Sequence, residues 1–125
     1  MTSATLLLRQ VHPTFVKPDG VTSSAFSPFP KDNGHLSVDD NELVTAEQSY
    51  VRYTKEQGFD SVGVWAVTMQ EAEDSETPAV ASPIEANSAH CHLDFTSHGK
   101  NKQRKLAKRL RNLAVNRGCL FSGEL

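Results

Sequence analysis

Residues 59 to 69 read FDSVGVWAVTM, and no other stretch of the 125-residue chain restricts the fold as tightly. Val62, Val64, Ala66 and Thr68 alternate with Gly63, Trp65, Val67 and Met69. In extended backbone the two sets point to opposite faces, so both faces are largely apolar. Such a strand belongs inside a sheet that is covered above and below.

The flanking segments supply partners for it. A first strand is expected from Ala4 to Val11, stopped at His12-Pro13, because proline bars a central strand and holds its predecessor extended. Leu36-Ser37-Val38 is a minimal strand ending at Asp39-Asp40-Asn41, and Ala89 to Phe95 (AHCHLDF) alternates as a strand with one wet face. Cys119-Leu120-Phe121 is a candidate last strand. A helix begins at Thr45, where Gln48 three residues on completes a capping box, carries Ala46, Tyr50 and Tyr53 at helical spacing, and stops at Gly58. A second helix runs from Asn101 to Arg117 and closes at Gly118. Residues 13 to 35 hold four prolines and two glycines, yet Phe15, Phe26 and Phe29 would be costly in water, so this segment is expected as an ordered loop over the core. Residues 71 to 88, acidic and rich in Ala, Ser and Pro, are expected as a long exposed loop. The expected fold is α+β: a small mixed or antiparallel sheet of about four to five strands packed with two helices, in a single domain spanning 1 to 125.

No apolar run is long enough for a signal-peptide core or a membrane span, the longest near the start being Leu6-Leu7-Leu8. Cys91 and Cys119 read as reduced thiols, and a cytoplasmic location without a membrane partner is expected.

The net charge of −2 conceals a division along the chain. Residues 1 to 97 hold 5 Lys/Arg against 14 Asp/Glu, whereas residues 98 to 125 hold 8 against Glu124 alone. On a helix, Leu106, Leu110 and Leu113 form one stripe, and Lys100, Arg104, Lys108 and Arg111 gather opposite it with Lys105 beside them. These five cations are the candidate surface for RNA, DNA or an acidic protein partner, since each neutralised phosphate releases counterions. The same pattern also suits a solvated helix whose charge offsets an acidic body.

Catalytic signals are sparse. His90, His92 and Asp94 share one strand face while Cys91 points the other way, and no C-x-x-C or H-E-x-x-H spacing supports a metal, so neither metal nor cofactor is expected. Two imidazoles near a lysine could cleave RNA without a metal, for which His12, His90, His92 and Lys102 are the candidate catalytic residues. Arg9, Thr22-Ser23-Ser24 and Glu71-x-Glu73 follow an order similar to that of ADP-ribosyltransferases, in which the arginine and serines would hold NAD and the second glutamate would assist transfer. No phosphate-binding glycine loop and no G-x-S-x-G elbow is present.

The blocks RQVHPTFV, VTSSAF, LSV, SVGVWAVT and AHCHLDF, in this order, resemble a family of small bacterial proteins to which no activity attaches. The resemblance implies a bacterial, cytosolic origin. The first expectation is an accessory protein that engages nucleic acid or another acidic partner through the basic helix, by analogy beside a defence or toxin system. A small ribonuclease or an ADP-ribosyltransferase-like enzyme is the alternative, and a protein-interaction module using the aromatics of residues 13 to 35 is a third.

Overall fold

A computed structural model describes residues 1–123. In chain order the strands are β1 (Leu6–Val11), β2 (Val16–Lys17), β3 (Gly20–Val21), β4 (His35–Asp40), β5 (Gly63–Thr68), β6 (Ala79–Ala81), β7 (His90–Asp94) and β8 (Phe121–Ser122). The helices are α1 (Ala46–Val51), α2 (Met69–Asp74) and α3 (Lys100–Arg117), and α1 runs on into a π-helical turn over Arg52–Glu56. The fold is α+β. Six strands form one antiparallel sheet in the order β6-β7-β4-β1-β5-β8, and β2 with β3 makes a separate two-stranded ribbon.

The centre of the sheet is the doubly apolar strand and its neighbour. β5 pairs with β1 along its whole length, from Leu6↔Thr68 to Val11↔Gly63. Leu7, Val11 and Val67 face one side, where Leu36, Val38, Cys91, Leu93 and Phe95 extend the apolar surface. Leu106, Ala107, Leu110 and Ala114 of α3, with Ala25 and Phe26 from the 3-10 turn Ser23–Phe26, cover that side. Leu8, Val64 and Ala66 face the other side and lie under Val44, Ala46, Tyr50 and Phe121. Gly63 is small because β8 closes over it: a Cβ there would stand 2.8 Å from the Phe121 carbonyl oxygen.

Two expectations are corrected. The sheet has six strands, not four or five, because β6 is an edge strand of three residues, too short to leave a periodic signature; the candidate last strand at Cys119-Leu120-Phe121 falls at Phe121–Ser122 as β8. A third helix, α2, begins the segment expected as exposed loop. Thr68 caps it, accepting from the Glu71 N–H at 3.0 Å while Glu71 Oε1 accepts from the Thr68 N–H at 2.7 Å. Thr77, in the same segment, is fully buried and donates to the Ala72 carbonyl.

The sheet carries a seam. β1 and β4 pair only through Leu7↔Asp40 and Leu8↔Asp39, and beyond that point they diverge. The Arg9 side chain bridges the gap: its Nε donates to the Ala25 carbonyl at 2.8 Å and one terminal nitrogen donates to the Ser37 carbonyl at 2.9 Å. No helix among the described residues is long and apolar enough to cross a membrane.

Candidate nucleic-acid interface

The eight cations of α3 divide into anchors and free charges. Arg117 forks onto Glu71 and also donates to the Ala66 carbonyl at 3.0 Å. Arg109 donates to Ser75 Oγ at 2.9 Å, and Arg111 donates to the Val21 carbonyl at 3.1 Å. These three arginines tie the helix to the elements beside it. Lys100, Lys102, Arg104, Lys105 and Lys108 are exposed and make no hydrogen bond or ion pair with a described residue. Leu106, Ala107, Leu110 and Ala114 are buried while Leu113 is only partly so, which turns Arg111 toward the edge of the packed face. Four of the five expected binding cations therefore stand in solvent, with Lys102 in their company, and Arg111 is the member engaged by the fold. A shallow groove continues this surface between Lys100, Arg104 and the exposed ring of Phe29.

His35, His90 and His92 gather on the opposite face of the sheet. α1 covers only the β1, β5 and β8 half of that face, which leaves the β4, β7 and β6 half open. There His90 spans two neighbours, with Nδ1 2.9 Å from the Ser82 carbonyl and Nε2 3.2 Å from Ser37 Oγ. His92 Nδ1 lies 3.0 Å from Ser82 Oγ, and its ring stacks on His35 at 4.1 Å between centroids. Burial and the neighbouring His35 hold the His92 imidazole below its usual range, against the pull of Asp94. Two hydrogen bonds from Thr96 hold the Asp94 carboxyl below its own. Among the described residues no group of three His, Cys, Asp or Glu is placed to hold a metal ion.

The four candidate catalytic residues fall in three places. His90 and His92 share the open face, Lys102 projects from the helix on the other side of the sheet, and His12 lies beyond the end of β1, with Nε2 3.9 Å from Asp60 Oδ2. Strand geometry puts His12 on the order of 15 Å from His90, farther than one acid/base pair can share a phosphate. For the transferase order, Arg9 does stand beside the Ser23–Phe26 turn; of the glutamate pair, Glu71 has both carboxylate oxygens taken by Arg117 and one also by the Thr68 N–H, while Glu73, to which the transfer role would fall, is exposed on α2. Burial alone would raise the Glu71 carboxyl; the Arg117 guanidinium and the Thr68 amide outweigh it and hold it low.

Sequence reasoning missed a polar network beneath α1. Asp39, one of the few buried charges, accepts from Ser49 Oγ at 2.6 Å, from an Arg52 terminal nitrogen at 2.7 Å and from Asn87 Nδ2 at 2.7 Å. Gln10 donates to Ser49 Oγ at 2.9 Å and accepts from Ser61 Oγ at 2.9 Å, carrying the chain across the sheet. Arg52 and Tyr53 enter this region from the π-helical turn, a rare geometry that often marks a functional position. The adjacent pair Asp39-Asp40 inside a strand was the available signal, since two carboxylates beside Val38 need partners.

Compared with protein-family models, with curated proteins and with solved structures, the chain matches none.

Proposed function

We propose that the protein binds nucleic acid through the exposed cationic face of α3. The observation that carries this reading is that Lys100, Lys102, Arg104, Lys105 and Lys108 have no partner among the described residues, while the arginines around them are committed to holding the helix in place. A helix offering, in its first nine residues, five cations that pair with no described residue costs little ordering on contact with a polyanion. No carboxylate lies within the helix to compete. The surface holds cations and no array of base-reading side chains, so the contact is to phosphates and is largely indifferent to sequence.

The test is a salt titration of binding to short RNA and DNA, single- and double-stranded, with the Lys105→Glu/Lys108→Glu protein as control. Affinity should fall steeply with salt and the control should lose most of it. Absence of binding at low salt would end this reading and turn the search to an acidic protein partner.

A further inference from the structure

Arg9 is half-buried in the seam between β1 and β4, and its surroundings are incomplete. Two of its N–H groups go to backbone carbonyls, and no carboxylate among the described residues comes within 4.0 Å of it. Buried cations are ordinarily paired. Desolvation lowers the Arg9 guanidinium from its usual value, and Tyr53 and Asp32 offset this from beyond pairing distance. The N–H groups that remain, on the solvent side of the guanidinium, have the geometry to take an oxyanion.

Arg9 is also where two clefts meet. One, of about 230 Å³, runs past Asp39 and Arg52 to His90 and Ile84; the other, of about 250 Å³, runs to His12 and Phe29; Arg9, Gln10 and Tyr53 line both. Each cleft has an aromatic wall. Tyr53 packs on Phe59 at 5.1 Å between ring centroids, and Phe15 packs on Phe29 at 5.9 Å. Phe59 is 54% exposed and Ile84, across the cleft, 50%. Apolar groups left in water on facing walls suit a flat ligand between them.

The lining also holds groups able to donate that are without partners. The Tyr53 hydroxyl and the Gln57 amide make no hydrogen bond to a described residue, and Arg52 Nε is buried without an acceptor. Asp39, the carboxylate in the lining, already accepts from three donors. The site therefore asks for acceptors on a small, planar, anionic molecule. We propose that this groove binds a nucleotide, its phosphate at the Arg9 guanidinium and its base against the Tyr53–Phe59 wall. The cleft walled by Tyr53 and Phe59 holds no residue of α3, whereas the second cleft ends at Phe29, whose ring also borders Lys100 and Arg104, so the base site is separate from the polyanion-binding face while the Phe29 end adjoins it.

The experiment is an amide NMR titration of the full chain with AMP, using adenosine and inorganic phosphate as separate probes. Shifts should cluster at residues 8–10, 37–39, 52–59 and 84–90, and each half-ligand should bind at least about ten-fold more weakly than AMP. Phe59→Ala alters an exposed side chain, leaves the fold intact and should weaken AMP roughly five-fold. Arg9→Lys should weaken it further, and its amide spectrum reports whether the fold survives. Absence of groove shifts at 10-millimolar-order AMP would overturn the proposal, as would full affinity in Phe59→Ala. Shifts confined to α3 would also overturn it while leaving the nucleic-acid reading in place.

Discussion

Arg117, at the last turn of α3, and Glu71, in the first turn of α2, meet as a two-pronged pair, with nitrogen–oxygen distances of 2.8 and 3.1 Å. Both side chains are mostly buried, and Glu71 simultaneously completes the cap of α2. One carboxylate thus fastens two helices and the end of β5. Glu71→Gln should cost about 2 kcal/mol in urea denaturation at neutral pH, because it removes the charge from a bidentate bond. The Glu71 carboxyl is held below its unfolded value, so its contribution is full above the unfolded pKa and is lost as pH falls through the lower folded value. The gap between wild type and Glu71→Gln should therefore close in acid and not in alkali.

Leu110 is fully buried on the packed face of α3, two residues on from exposed Lys108. Leu110→Ala should destabilise by about 3 kcal/mol, combining lost burial with an unfilled cavity. Lys108→Ala should stay within about 0.5 kcal/mol of wild type. Equilibrium unfolding of the two variants separates the packed stripe of this helix from its cationic one.

Asp39 holds Ser49, Arg52 and Asn87 at once. Asp39→Ala should cost about 3 kcal/mol, because it strands the Arg52 guanidinium in a largely buried place. A double-mutant cycle with Arg52→Met checks the origin of the loss. If the stranded charge is the cause, the double variant will be more stable than Asp39→Ala alone.

His35 and His92 stack with their rings 24° apart, and charging one opposes charging the other. His35→Ala should move the His92 titration upward, toward the ordinary imidazole value, as read from ring-proton shifts. Because folding lowers the His92 value, the neutral ring's contribution is complete above the unfolded pKa of about 6.5 and falls as pH drops through the folded value.

What could be read from the residues alone was whatever repeats with a period. The alternation of Val64, Ala66 and Val67 around Trp65 located the central strand, and Thr45 with Gln48 located the start of α1, where both reciprocal hydrogen bonds are present. α3 announced itself through its leucines and its cations. α2 escaped because the apolar run of β5 carries through Met69, which hides the change from extended to helical backbone at Thr68. β6 escaped because Ala79-Val80-Ala81 has no polar alternation to mark it. The groove at Arg9 was out of reach for a different reason. His90 reaches it only because β7 pairs with β4 in the register Asp39↔His90, and register between strands separated by some fifty residues is set by packing and leaves no local trace.

The short pairing of β1 with β4 has a mechanical meaning. The outer blade of β6, β7 and β4 is stitched to the inner blade of β1, β5 and β8 at one corner, and Arg9 serves as the rivet farther along. Between the strands themselves, parting the blades breaks two ladder rungs and the Arg9 bridge, with the Asp39 bonds to Ser49 and Arg52 and the shared core beneath α3 resisting beside them, whereas parting β1 from β5 would break a full ladder. This molecule should tear first along its middle, and whatever grips Arg9 sets how hard it must be pulled.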